Sequence, residues 1–178
     1  QRFTANGILL ESGEELAADI IIPATGLDIQ VLGGMELVVD DEPVAMRDRL
    51  IYKNVLIEGV PNAAMVFGYT NLSWTLKVDI AAEYLCRLLN HMDTKGVRVC
   101  VPRDSDNSRG EGTVMGGLNA GYIRRADDRL PRQGAHNPWR VTQNYLTDLK
   151  MLRFDPLEDG YLEMDGPGSS AQEPPESG

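Results

Sequence analysis

Leu76, Ile80, Tyr84, Leu88 and Met92 recur every four residues, with Ala81, Leu85 and Leu89 beside them, and no other feature constrains the fold as much. That repeat puts one apolar stripe along a helix, and the stripe has to be covered by another layer. Ser73 is a suitable N-cap and Lys95-Gly96 a suitable stop. Ahead of the helix, Ala64 to Gly68 reads as a short apolar strand and Tyr69 to Ser73 as a polar loop. A strand feeding a helix through such a loop leaves free backbone N–H groups at the helix start. These groups carry partial positive charge and suit an anion or an electron-rich ring edge.

Around this unit the pattern is mostly β. Arg2 to Glu11 and Leu16 to Pro23 bracket the turn Ser12-Gly13-Glu14, and Asp19-Ile20-Ile21-Ile22 predicts a buried strand that Ala24-Thr25-Gly26 ends. Gly33-Gly34 and the acidic turn Asp40 to Pro43 mark a small hairpin. Leu50 to Ile57 reads as a strand turned back at Gly59-Val60-Pro61-Asn62, and Val97 to Val101 as another. Pro102 to Gly121 predicts a long polar loop. A last helix is expected from Asn137 as cap with Pro138 in its first turn, burying Val141, Tyr145, Leu149 and Leu152. From Asp165 onward the tail is expected to be disordered.

Charge and motifs exclude several functions. A net charge of −10 repels phosphate backbones, so nucleic acid is not an expected partner. No run of about 18 apolar residues predicts a transmembrane helix, and the cytoplasm is the expected compartment. Cys86, on the apolar helix face, and Cys100, in a strand, fit buried free thiols, with a disulfide also compatible with the sequence. There is no nucleophile elbow, and His91 and His136 share no ligand spacing with cysteines or carboxylates, so no metal site is expected. The nearest approach to a dinucleotide fingerprint, Gly110-Glu111-Gly112-Thr113-Val114-Met115, lacks its third glycine and the strand-to-helix context.

Asp19-Ile20-Ile21-Ile22-Pro23-Ala24-Thr25-Gly26-Leu27 resembles a segment of the flavin-containing and Baeyer–Villiger monooxygenases. The block Gly68-Tyr69-Thr70-Asn71-Leu72-Ser73-Trp74-Thr75-Leu76-Lys77 is similar to a more specific one in that family. So are Leu130-Pro131-Arg132-Gln133-Gly134, Asn137-Pro138-Trp139-Arg140 and Gln143-Asn144-Tyr145-Leu146. Order and spacing resemble best the subgroup that contains the ethionamide-activating monooxygenase of mycobacteria.

The resemblance implies an α/β fold: the C-terminal fragment of a flavoprotein with two Rossmann-like dinucleotide-binding domains and a helical C-terminal cap. Residues 1–26 would be the closing strands of the NADPH domain and the return crossing, 27–101 the end of the FAD domain, 102–164 the cap and 165–178 the tail. The cofactors implied are FAD and NADPH. The chemistry implied is oxidation of a ketone, sulfide or amine with O2 through a C4a-peroxyflavin. Ala24, Thr25 and Gly26, with Asn71, Leu72 and Ser73 at the helix start, would approach FAD, and Trp74 would line the substrate pocket. The glycine motifs and the catalytic residues would lie upstream, so the chain, which opens on Gln1, is expected to be inactive alone. Two rivals remain on sequence: a pyridine-nucleotide-dependent flavoprotein reductase, against which Tyr69 after Gly68 argues, and a non-catalytic module derived from a flavoprotein.

Overall fold

The computed structural model describes residues 2–165 and shows a mixed α/β arrangement of short antiparallel strands around one long helix. β1 (Arg2–Phe3), β2 (Gly7–Leu9) and β3 (Glu15–Ala17) form a three-stranded meander. The strand expected at Asp19–Ile22 is not formed. That stretch is irregular, and Ile20 and Ile22 are more than four-fifths exposed. Its β-branched run has strand propensity but no neighbouring edge among the described residues to pair with. The hairpin expected around Asp40 is present as β4 (Leu37–Val39) and β5 (Glu42–Val44). Asp40 and Asp41 supply its positive φ values, 51° and 65°.

Leu50 to Ile57 is a tight hairpin, not the single strand expected: β6 (Ile51–Tyr52) turns at Lys53 and Asn54, both at positive φ, into β7 (Leu56–Ile57). Its alternation separates the interior into two parts. Leu50, Tyr52 and Leu56 face a cluster with Ile80, Tyr84, Leu88, Met92, Trp139 and Leu152. Ile51 and Ile57 face a second one with Val60, Val114, Met115, Ile123 and Leu130. Val66 and its neighbours, expected as a strand, contribute only the bridge between Leu56 and Ala64.

The long helix α1 runs Trp74–Lys95, with Ser73 at the N-cap and Gly96 at the left-handed C-cap, as the sequence predicts. Its buried face holds Ile80, Ala81, Tyr84, Leu88 and Met92, but also Lys77. Leu76 and Leu89 lie outside it, exposed, because each four-residue step overshoots a full turn by about 40°, so a strict four-residue repeat drifts off the buried face at its ends. Cys86 is likewise exposed, a correction, while Cys100 is buried; both thiols are free. Leu88→Ala is expected to cost about 2–5 kcal/mol, against about 0.5 kcal/mol or less for exposed Asp79→Ala, measured as unfolding midpoints in denaturant. Equal costs would show that the helix is turned differently.

β8 (Val99–Pro102) pairs antiparallel with β11 (Leu162–Asp165), joining the two ends of the second half of the chain. Asp165, placed by the sequence reading in a disordered tail, is thus in a strand; residues 166–178 lie outside the described residues. The long loop predicted at 102–121 contains β9 (Arg109–Thr113), paired with β10 (Arg132–Gly134), and α2 (Gly121–Arg125) follows it. A Cβ at Gly110 would lie 2.9 Å from backbone atoms of Gly134 and Ala135. The near-fingerprint glycine there is required by strand contact.

The last helix, α3 (Tyr145–Arg153), is capped at Asn144, seven residues after the expected cap Asn137. The Asn144 Oδ1 accepts from the Thr147 N–H at 3.1 Å. Asn137-Pro138 is a cis peptide, and Val141 belongs to the second core cluster instead of a helix. Trp139 is sealed between Tyr52 and Tyr161, edge-on to both. Buried Lys53 closes that side, its Nζ 3.0 Å from Asp159 Oδ2 and 3.1 Å from the Pro156 carbonyl.

A parallel dinucleotide-binding sheet is not present among the described residues: every strand pair is antiparallel, and the one parallel contact is an isolated bridge, Leu50 to Arg132. A parallel pair needs strands on both sides of a crossover helix, and α1 instead leads into β8, whose partner is β11. The segment expected as a helical cap mixes β9, β10 and β11 with two short helices.

Candidate functional site

The residues that directly follow the two candidate segments, Leu27 and Trp74, line one cavity. It has a volume of about 250 Å3, and its walls include Leu27, Phe67, Trp74, Met115 and Tyr122. Leu27 follows Ala24-Thr25-Gly26 directly; Phe67 and Trp74 flank the loop at the start of α1. Ala24, Thr25 and Gly26 are exposed and irregular, and Gly26 has φ +89°, in the left-handed region. A Cβ there would meet Tyr122 at 3.6 Å and Arg125 Nη2 at 3.7 Å, both ordinary contacts, so the position favours glycine for its backbone and not for want of space. Arg125 Nη2 donates to the Leu27 carbonyl at 3.3 Å, and Arg129 pairs with Asp28 at 2.7 Å, which ties the linker to α2 and the turn after it.

Gly68 is buried under Trp74: a Cβ at Gly68 would lie 2.2 Å from Trp74 Cγ. The indole, half exposed, therefore lies across the backbone where the chain enters the loop. Asn71, Leu72 and Ser73 are exposed on the outer side of that loop. Ser73 sits at the N-cap but its side chain does not cap; its Oγ lies 2.7 Å from Thr75 Oγ1. No side chain at the cap thus competes with a ligand for the first N–H groups of a 22-residue helix.

Sequence reasoning missed what lies behind the loop. Lys77 Nζ stands 2.8 Å from Asp148 Oδ2, the two side chains being 2 % and 0 % exposed. The approach is off-axis, so this is an ion pair and not a well-aligned hydrogen bond. Tyr69 Oη donates to the same Oδ2 at 2.8 Å, and Thr142 Oγ1 donates to Oδ1. Burial pulls the Lys77 pKa down, with Asp148 opposing it. Burial, then the bond to Asp148, pushes the Tyr69 phenol up. Gln143 completes the arrangement: its Oε1 accepts the Thr70 N–H at 2.8 Å and its carbonyl accepts Asn71 Nδ2 at 3.2 Å. A signal was there to be read: Lys77 falls three residues before Ile80 on the buried face, and Asp148 four before Leu152. Each apolar stripe carried one charge, and the charges are opposite.

The other candidates stay apart from this site. His91 Nε2 lies 2.7 Å from Glu158, and His136 Nε2 3.2 Å from Ser108 Oγ. Burial raises the Cys100 thiol to about 11. No metal-sized group of His, Cys, Asp and Glu occurs among the described residues, and no helix there is long and apolar enough to cross a membrane.

No family model matches the chain, and no solved structure matches it. Curated relatives do. It is 49 % identical over 163 residues to an Acinetobacter protein named "Probable FAD-binding monooxygenase AlmA", covering 92 % of this chain and 33 % of that one. It is 46 % identical over 161 residues to the FAD-containing monooxygenase EthA of Mycolicibacterium smegmatis, covering 90 % and 32 %. To EthA of Mycobacterium tuberculosis it is 45 % identical over 159 residues, covering 89 % and 32 %. The chain spans about a third of the length of these relatives. It is a homologue of the FAD-containing monooxygenases, corresponding in extent to a third of such a protein.

Proposed function

We propose that this chain is the C-terminal part of an NADPH-dependent FAD monooxygenase. In that protein Ala24-Thr25-Gly26 and the loop Asn71-Leu72-Ser73 form one wall of the flavin site. The carrying observation is that Leu27 and Trp74, which directly follow the two segments, line one apolar cavity beside an uncapped helix start. These residues fit a flavin in two respects. The free N–H groups of α1 suit the electron-rich edge of the ring system, and the exposed Gly26 backbone allows close approach. Bound there and reduced by NADPH, the flavin would supply the oxygen-activating chemistry.

The protein's own part is positioning and exclusion of water. Trp74, braced on Gly68, and Phe67 and Tyr122 give the cavity an apolar lining that suits the uncharged body of a ketone, sulfide or amine. The α1 terminus orients the cofactor edge without a titrating group.

The full-length protein carrying this segment is expected to be yellow as purified and to consume NADPH and O2 faster with a methyl ketone or an alkyl sulfide present. A flavin-loaded protein that reduces a disulfide at NADPH's expense without oxygen uptake would favour a reductase. A full-length protein that holds no flavin would favour a non-catalytic module.

A further inference from the structure

A buried ion pair is a poor way to hold two helices together. Removing two charges from water is costly, and well-packed apolar replacements often do as well or better. α1 and α3 have apolar contacts already: Tyr145, Leu149 and Leu152 pack into the cluster of Ile80, Tyr84 and Leu88. Lys77 and Asp148 therefore call for another explanation, and the geometry supplies one. A single carboxylate collects groups from three other segments: Tyr69 from the loop, Lys77 from the start of α1 and Thr142 from the stretch before α3. The Lys77 ammonium also sits over the Tyr69 ring, 5.5 Å from its centroid. Together with the two bonds from Gln143, three consecutive loop residues, 69, 70 and 71, are each tied to residues 143–148. The Tyr69 and Thr70 ties lie behind the loop, and the Asn71 tie lies at its exposed edge. Its front, Asn71 to Trp74, stays exposed.

We propose that Lys77 and Asp148 are positioning residues: their pair, with Tyr69 and Thr142 closing on the same carboxylate, latches the 69–73 loop to the 142–148 segment and sets the wall that faces the cofactor. The latch is a directional device, since an ion pair and hydrogen bonds fix orientation where apolar packing tolerates sliding. Its link to the cofactor rests on the flavin-side placement of the loop given under Proposed function.

The test uses the full-length, flavin-loaded protein. Asp148→Asn keeps the side chain's shape and removes the charge; the pair Lys77→Met with Asp148→Leu removes both charges without leaving one unpaired. Amide hydrogen exchange is followed at Thr70 and Asn71 and, as an internal reference, at Tyr84 to Leu88 in α1. The visible flavin spectrum and FAD retention on dilution are recorded alongside. In the doubly apolar variant, α1 protection and the unfolding midpoint are expected to stay near those of the parent. Loop exchange should rise about tenfold or more, the flavin bands should shift, and FAD should be lost about tenfold more readily. Unchanged loop exchange in that variant would overturn the latch. So would failure of that variant to fold, which would make the pair a plain stability element. A freed loop with an unaltered flavin spectrum and retention would overturn the link to the cofactor, and with it the placement of the loop at the flavin, while the latch itself would stand.

Discussion

Gly68→Val is expected to strip flavin from the full-length protein while leaving a cooperative fold. Even the first carbon of a side chain at this position falls 2.2 Å from Trp74 Cγ and 2.3 Å from Cδ2, well inside contact distance. Valine must therefore push the indole off the backbone. Overpacking of this kind costs about 1–3 kcal/mol, which most domains survive. The damage is concentrated at the loop entrance, next to the proposed flavin wall and the cavity that Trp74 lines. A tenfold or greater loss of FAD affinity, about 1.4 kcal/mol, is the expected result, read as flavin content after desalting beside the unfolding midpoint. Adding Trp74→Ala should restore much of the occupancy, because it empties the space that valine needs. Normal flavin content in Gly68→Val would remove the site from this loop. Loss of fold and flavin together, with no rescue, would make the Gly68–Trp74 contact purely structural.

The second large effect concerns the 178-residue chain by itself, which is expected to be colourless after incubation with excess FAD and desalting, and to leave NADPH unoxidised. A flavin's pyrophosphate is commonly held by a glycine-rich turn running from a strand into a helix N-terminus. The sequence has no such turn, and its nearest approximation lies in β9, where Gly110 is pressed against Gly134 and Ala135. The wall proposed for residues 24–26 and 71–74 would cover one side of a cofactor and leave the rest in water. The chain also exposes Phe3, Ile20, Ile22, Trp74 and Leu89. An apolar groove of about 430 Å3 runs beside α1 between Leu85, Leu89, Met92 and Val97. Self-association in size-exclusion chromatography is therefore the accompanying expectation. A yellow, stoichiometrically loaded and active preparation would refute the partial-site reading. A colourless chain that is monomeric and unfolds cooperatively would favour the stand-alone module.

The sequence by itself determined the elements whose causes are local. The bounds of α1 were legible because its apolar repeat and its C-cap glycine act within a few residues of one another, although Leu76, Leu89 and Cys86 fall off the buried face. The Asp40-Asp41 hairpin was legible for the same reason, since two residues at positive φ close it. The likeness to flavin monooxygenases was also in the sequence, in the Gly68–Lys77 block. What only the tertiary structure decided is non-local. Asp19–Ile22 has strand propensity but finds no partner edge. Pro102–Gly121 looks like loop but yields β9, because β10 pairs with it from farther along the chain, Arg132 with Thr113 and Gly134 with Arg109. The helix expected at Asn137 starts at Asn144, where the cap bond forms and where Trp139 is left free to fill the space between Tyr52 and Tyr161. The candidate site divides along the same line. Gly26, Asn71 and Ser73 could be named from their motifs, whereas Lys77 and Asp148, 71 residues apart in the numbering of the chain, become one feature only when α1 and α3 pack. Periodicity tells which face of a helix is buried; it does not tell which face it will meet, and a charge on a buried face is explained only by the charge that meets it.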